Sequence, residues 1–557
     1  MTNADIADYF SLLSKLMDIH GEDPFRAKSY SIAAYHIENL PGQAADMDDA
    51  ELFSMKGIGA STGKKMREIL LTGKLQQLEE MLSKTPRGIL DMMQVKGLGP
   101  KKIAVIWKEM HIDSVGELEY ACHENRLTAV KGFGAKTQQG ILENIAFLNN
   151  AKGFHLWAEL YGIANGLIAN LRNTYPGSLF ETTGGIRRQN ETLEMIELIT
   201  DLERDMLFKN ISNIPGAEIT DQSMTISLVR LPGQPVIKVF FTTRENFYKE
   251  YFLTTGSDSF LKAFLEKYKL PDTVGNEAAI FSSNGLAYIP APLRETEIIL
   301  QHAADGELNE LIQPGDIKGI IHSHSTWSDG AESIEQMAKV AIEKGFEYLV
   351  ISDHSQAAYY ARGLKPEQIV AQHAEVDALN KKLRPFRVFK SIEADILNDG
   401  SLDYNDEVLA GFDLVIASVH SNIRMSLEKA MSRILKAIEN PYTAILGHPT
   451  GRLLLSREGY PVDHRQIIDA CAKHNVVIEI NAHPRRLDID WRWISYAMER
   501  GVLLSVDPDA HATSGFNDVF YGTMIAQKGG LTKDCNLSSF SLSEFESFIA
   551  LQQAKRK

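Results

Sequence analysis

A chain of 557 residues with 44% hydrophobic and 24% charged side chains is globular rather than disordered, and it is too long for one hydrophobic core. A formal charge of −15 gives no general affinity for nucleic acid, so any such binding must come from local basic patches. Three cysteines, Cys122, Cys471 and Cys535, stand without a C-x-x-C pair, which argues against a disulfide framework and fits a reducing, cytoplasmic setting. No basic-then-apolar leader opens the chain, and no apolar run nears the roughly 18 residues of a membrane span, so no membrane role is expected.

Residues 5–18 place Ile6, Tyr9, Phe10, Leu13, Leu16 and Met17 on one helical face. More helical segments follow, and one turn then occurs three times. Lys56-Gly57-Ile58-Gly59, Lys96-Gly97-Leu98-Gly99 and Lys131-Gly132-Phe133-Gly134 each precede a helical run, about 35–40 residues apart. Two glycines around one apolar residue make a tight hairpin between helices, with the apolar side chain tucked inward. The helix that follows turns free N–H groups and its positive end outward. With Lys64, Lys65, Lys101, Lys102 and Lys136 nearby, the repeat reads as helix-hairpin-helix motifs gripping a nucleic-acid backbone without reading its sequence. DNA contacts then fall to Lys56, Gly57, Gly59, Lys64, Lys96, Gly97, Gly99, Lys131, Gly132 and Gly134. A plain helix-turn-helix is the alternative for any single copy.

Asp23-Pro-Phe-Arg-Ala-Lys-Ser-Tyr30, Gly57-Ile-Gly and Thr72-Gly-Lys-Leu resemble the amino-terminal lyase domain of family X, polymerase beta-type DNA polymerases. Residues 95–110 and 130–145 resemble the hairpins that lead into that family's fingers. The resemblance implies a helical lyase-like domain (1–85), a helical fingers-like domain (86–150), an α+β palm (151–243) and a thumb (244–300). It also implies DNA as partner and a Schiff-base lysine at the position of Lys65, where a plain phosphate contact is the alternative. Thr183-Gly-Gly-Ile-Arg-Arg-Gln-Asn-Glu-Thr192 is similar to the strand entering the polymerase site. The family holds two Mg ions there on three aspartates; here the matching positions read Met195, Glu197 and Lys238, and Gly185 replaces a triphosphate-binding serine. Nucleotidyl transfer needs carboxylates concentrated at one point, so the site is read as degenerate, without Mg, with Glu197 paired to Lys238. Further on, 258–268 is expected to be helical, 278–282 strand-like, and 301–316 a linker broken by Gly306, Pro314 and Gly315.

From 317 to 557 short apolar runs alternate with helix-like segments such as 334–344 and 366–382. His322 and His324, two apart, would leave one face of a strand, and Asp329 follows in a loop. Asp353-His354, Glu393, His420, His448, and Asp509 with His511 each end a further apolar run. A parallel barrel or wound sheet gathers functional groups at the strands' C-terminal ends, so this recurrence makes a metal cluster. A single histidine after a strand is more often hydrogen-bonded structure; the repetition is what argues for ligands. Imidazole and carboxylate without cysteine suit Zn, Mn or Fe.

His322-Ser-His324, Ser352-Asp-His354, Glu393-Ala-Asp-Ile396, Leu446-Gly-His-Pro449 and Asp509-Ala-His511, in that order, resemble the PHP (polymerase and histidinol phosphatase) domain over about 240 residues. The resemblance implies a distorted (β/α)7 barrel with three divalent metal ions. One would take His322, His324, Glu393 and Asp509; a second would share Glu393 and take His420 and His448; the third would take Asp329, His354 and His511. Arg362, Arg452 and Arg485, in loops after strands, are read either as phosphate contacts or as solvated arginines. Closing helices are expected at 519–527 and 542–553, with Lys555-Arg556-Lys557 a frayed tail.

The whole is a multidomain chain of helix-hairpin-helix domains, an α+β polymerase beta-like palm and thumb, and a C-terminal barrel. It reads as a DNA-binding metal-dependent phosphoesterase, a 3′-5′ exonuclease or end-processing nuclease for gapped, single-stranded or damaged DNA. An active repair polymerase with exonuclease and a small-monoester phosphatase are the alternatives. No protein partner is expected, and the chain is read as a monomer.

Overall fold

The structure is a computed structural model describing all residues except Pro41, Lys56, His111, Gly116, Glu117, Glu119, Tyr120, 123–126, 128, 129, Lys131, Lys152, Gly233, Arg424, Ser456, Arg457 and Lys557, and the side chains of 146–151 and Tyr360. It forms two compact units, Met1–Lys152 and Gly153–Lys557.

The first unit is helical. Asn3–His20 begins with a capping box: Thr2 Oγ1 accepts from Asp5 N, and Asp5 returns the bond to Thr2 N. It buries Ile6, Phe10, Leu13, Leu16 and Met17, while Tyr9 stays half-buried at the edge of that face. One buried core runs from Ile6 to Ile145, so the lyase-like and fingers-like segments share it.

The second unit opens with the short paired strands β1 (His155–Leu156) and β3 (Thr192–Leu193). A five-stranded sheet follows, made of β2 (Phe180–Thr182), β4 (Ile196–Thr200), β5 (Glu218–Asp221), β6 (Ile226–Arg230) and β7 (Ile237–Phe241) in the order β2-β4-β7-β6-β5. Only β4 and β7 pair in parallel, and they place Glu197 opposite Lys238. Beyond the sheet, Ala278–Ser282 is a helix rather than the expected strand. Its Ile280 and Phe281 turn into an aromatic cluster with Phe252, Phe260 and Phe264, and that packing decides a short apolar run that periodicity leaves ambiguous.

A seven-stranded parallel sheet completes the unit: β8 (Gly319–Ile320), β9 (Tyr348–Ile351), β10 (Arg387–Asp395), β11 (Leu414–Ser418), β12 (Thr443–Leu446), β13 (Val477–Asn481) and β14 (Leu504–Asp507), neighbours in chain order. Its two edges meet where His324 N donates to Ala510 O (2.8 Å) and Ala510 N to His322 O (3.2 Å), so the barrel is nearly closed. Strands buried on both faces explain why they read as unbroken apolar runs. The helix Leu542–Ala554 packs Phe545 flat on Tyr348, with ring centroids 4.4 Å apart. Of the tail after it, Lys555 and Arg556 are docked, not frayed, and Lys557 lies outside the described residues. Lys555 Nζ donates to Thr443 O (2.8 Å) and His474 O (3.2 Å), and Arg556 to Phe412 O (2.7 Å) and Asp413 O (3.0 Å).

Candidate functional site

In the first unit the three glycine turns are local copies of one another. Gly57, Gly97 and Gly132 take φ of 85°, 87° and 95°, a left-handed conformation that side chains resist. Ile58 N, Leu98 N and Phe133 N each donate three residues back, and all three side chains are buried. Gly59 and Gly99 cap Ala60–Thr72 and Pro100–Lys108 without a side-chain bond, and Gly134 precedes Ala135–Ala151. First-turn N–H groups are thereby left for an outside acceptor such as phosphate. Lys64 and Lys96 are exposed, and Lys65 is half-buried one residue on. Lys102 donates to Gly97 O (3.3 Å) and lies 5.9 Å from the Phe133 ring centroid, linking the second and third turns. Lys56 and Lys131 lie outside the described residues.

The palm-like cleft holds the residues expected there. Lys238 Nζ lies 3.7 Å from Glu197 Oε1, and Glu197 Oε2 accepts from Gly185 N (3.0 Å). Met195, half-buried, precedes the start of β4. The two arginines of the preceding turn are engaged elsewhere. Arg187 forms a two-pronged bond to Glu277 (2.7 Å each), and Arg188 bonds Glu295 (2.8 Å).

The barrel rim is built differently. Strand ends deliver side chains to one point, centred on the fully buried Glu393 of β10. Around its Oε1 lie His448 Nε2 (3.0 Å), His420 Nε2 (3.1 Å) and His322 Nε2 (3.3 Å); around Oε2 lie His354 Nδ1 (2.9 Å) and His324 Nε2 (3.7 Å). Asp509 Oδ1 is 3.1 Å from His324 and 3.4 Å from His322. Asp329 faces His354 and His511, each at 3.5 Å. Three sets of donors lie within 4.8 Å of one another: His324–Asp329–His354–His511, His322–His324–Asp509 and His354–Glu393–His420. All the expected rim residues are thus assembled, but His324 and His354 are shared more widely than the expected partition has it.

His322 and His324 do not lie on a strand, because β8 ends at Ile320. They reach the rim through the bridge to Ala510, with His322 at φ 59°. His448 (φ 21°) and Asp509 (φ 52°) are also left-handed, a cost of roughly 1–3 kcal/mol each that clusters where a site constrains the chain.

Outer partners orient these groups, and the sequence reading missed most of them. Glu479 Oε2 bonds His322 Nδ1 (2.7 Å) and Asp395 Oδ1 bonds His420 Nδ1 (2.6 Å), leaving each Nε2 aimed at Glu393. Asn481 donates to both Glu479 (2.7 Å) and Asp509 (3.1 Å). Asp353 gathers Ser325 Oγ (2.7 Å), Ser328 Oγ (2.5 Å) and Gln372 Nε2 (2.6 Å), which fixes the loop carrying Asp329. A glutamate inside the apolar strand Val477–Asn481 was the available signal for Glu479; the bonding partners themselves come from distant strands. Arg486, also missed, places Nε 3.8 Å from Asp509 Oδ2.

Burial alone pushes the Glu393 carboxyl up, but His420, His322 and His354 hold it well below the usual range. Burial likewise pushes His354 and His420 down, yet Glu393 and their second carboxylates raise them to about 10 and about 9. His322 Nε2 and His324 Nδ1 are buried without a hydrogen bond. Carboxylates held this firmly in the charged form, with unbonded imidazole nitrogens among them, fit divalent cations.

Of the three loop arginines, Arg362 is exposed at φ 58°. Arg485 lies 3.9 Å from Glu159. Arg452 corrects the expectation of a phosphate contact or a solvated side chain. Its Nε donates to Arg486 O (3.0 Å), Nη1 to Asp490 (3.2 Å), and Nη2 to Glu191 and Leu487 O, so the guanidinium is occupied.

A helix-hairpin-helix domain model matches residues 1–75, a SAM-like helix-hairpin-helix tandem 89–146, and the PHP domain 321–483. A probable phosphatase of Thermoanaerobacter sp. strain X514 is 26% identical over 42% of this chain and 95% of its own. A probable phosphatase of Shewanella piezotolerans is 28% identical over 35% of this chain and 79% of its own. The DNA polymerase/3′-5′ exonuclease PolX of Bacillus subtilis is 32% identical over 99% of both chains. With that match end to end, the chain belongs to the bacterial family X DNA polymerases that carry a C-terminal PHP domain.

Proposed function

We propose that this chain is a DNA-directed phosphoesterase that hydrolyses at the barrel rim, acting as a 3′-5′ exonuclease or end-processing nuclease. The observation that carries it is the convergence of imidazole and carboxylate groups on Glu393. His322, His324, Asp329, His354, Glu393, His420, His448, Asp509 and His511 are assigned as holding divalent ions, of which we infer three, of Zn, Mn or Fe type. Bound there, such ions polarise a phosphoryl group and lower the pKa of water at the rim. The chain's own part is to orient: Glu479 and Asp395 fix the tautomers of His322 and His420. Arg486, beside Asp509, is a rim cation available to a phosphate, and exposed Arg362 in the loop after β9 is a second candidate.

The helix-hairpin-helix unit holds DNA by its backbone, with gapped, single-stranded or damaged ends as substrates. Lys65 is the residue we assign to a Schiff base at abasic sites, testable by borohydride trapping. The palm-like cleft we read as unable to hold Mg or extend a primer, because its single facing carboxylate is met by Lys238. A second reading, hydrolysis of small phosphate monoesters, is favoured by the relatives named probable phosphatases, which cover only 42% and 35% of this chain. Labelled single-stranded, gapped and abasic DNA are assayed beside para-nitrophenyl phosphate with Mn, for wild type and His322→Ala/His324→Ala. Degradation of DNA lost in the variant is expected; monoester turnover with intact DNA would move the assignment to the second reading.

A further inference from the structure

The palm-like turn 188–191 is also where the second unit is stitched together. Lys528, at the end of the helix Val519–Lys528, donates to Arg188 O and Asn190 Oδ1 (2.9 Å each), and Gln189 Nε2 donates to Gln527 Oε1 (3.1 Å). One residue on, Glu191 accepts from Arg452 Nη2, with the two side chains only 12% and 14% exposed. The rest of that guanidinium is committed to one loop, through Arg486 O, Leu487 O and Asp490. The same loop carries Arg486 to within 3.8 Å of Asp509. Its Asp488 accepts from Thr450 N (3.0 Å) and Gly451 N (2.9 Å), which ties it to the loop bearing His448. A planar guanidinium bonded along several directions fixes orientation, whereas a buried ion pair adds little net stability.

We propose that Glu191 is a positioning residue for the barrel site: through Arg452 it holds the loop that presents Arg486 beside Asp509. The palm-like turn has become part of the hydrolytic machinery's support. This rests on the phosphoesterase reading above.

The test uses the full chain loaded with Mn, bis-para-nitrophenyl phosphate and single-stranded DNA, with metal content and Tm measured alongside kcat and KM. Glu191→Gln is expected to keep wild-type metal content while kcat falls roughly tenfold and KM moves less than about twofold. Glu191→Asp recovers most of the loss. In an Arg486→Gln background, Glu191→Gln has no further effect, because both changes act on one contact. Should Glu191→Gln not fold, Arg452→Lys, which keeps the charge and loses the fork, enters the same cycle. An unchanged kcat, or losses that multiply with those of Arg486→Gln, overturns the proposal. A wild type inactive on both substrates instead removes the phosphoesterase reading, and this inference with it.

Discussion

The palm-like cleft and the barrel rim lie in one unit, and both gather polar groups near parallel strands. At the rim, a buried glutamate meets five imidazoles within 3.7 Å. In the cleft, one glutamate meets a lysine at 3.7 Å on the neighbouring strand. The first arrangement gathers buried carboxylate and imidazole donors at one point, a set that could hold metal ions. The second is neutralised by the chain itself. The fold brings polar residues together in both places; what differs is the sign of the residues brought together.

The most severe way to break this contrast is at its centre. Glu393→Gln keeps the shape and removes the charge that His322, His354 and His420 face, and it is expected to cut hydrolysis at least about a thousandfold. Metal analysis of the purified variant should show a loss of bound ions; full occupancy with wild-type kcat would refute the assignment. One residue further out, Asp395→Asn leaves every rim donor in place but puts a neutral amide where a carboxylate faces His420 Nδ1. The expected loss is about 10–100-fold in metal affinity or rate, read by titrating Mn against activity.

How much of this was legible beforehand follows from where the determinants lie. Strands such as Leu414–Ser418 and Thr443–Leu446 declare themselves because burial on both faces leaves no polar alternation, and His420 and His448 each stand two residues past a strand end. The glycine hairpins were legible because φ near 90° has few other occupants. What stayed hidden is set by distant contacts. Glu479 reaches His322 across 157 positions, and Glu191 reaches Arg452 across 261. β8 is two residues long, so the expected strand for His322 and His324 is replaced by a bridge to Ala510 that no local pattern encodes.

A third variant probes stability rather than chemistry. Burial pushes Glu277 up, but Arg187 and Arg294 override it and hold the carboxyl at about 2, against a usual value near 4.5. A folded-state pKa below the unfolded one stabilises fully above pH 4.5, and that contribution drains away as pH falls towards 2. The contribution is about 3 kcal/mol. Glu277→Gln should therefore lower Tm at pH 7, and the gap to wild type should close between pH 4.5 and 2. A gap that stays constant with pH would mean the two arginines are not what Glu277 serves.

The smallest effect is expected at the palm-like cleft, and its smallness is informative. Glu197→Gln can still accept from Gly185 N and loses only its attraction to Lys238, a partly exposed pair worth at most about 1 kcal/mol. DNA degradation should stay within about twofold of wild type, and neither protein should extend a primer on gapped DNA with Mg or Mn. The converse variant sharpens the point. Met195→Asp/Lys238→Asp places three carboxylates where one stood, and measurable Mg binding by calorimetry would show that charge alone had closed the cleft to metal. If wild type instead extends primers, and Glu197→Gln abolishes extension while His322→Ala/His324→Ala leaves it intact, then the working metals sit in the cleft and the contrast between the two sites is inverted.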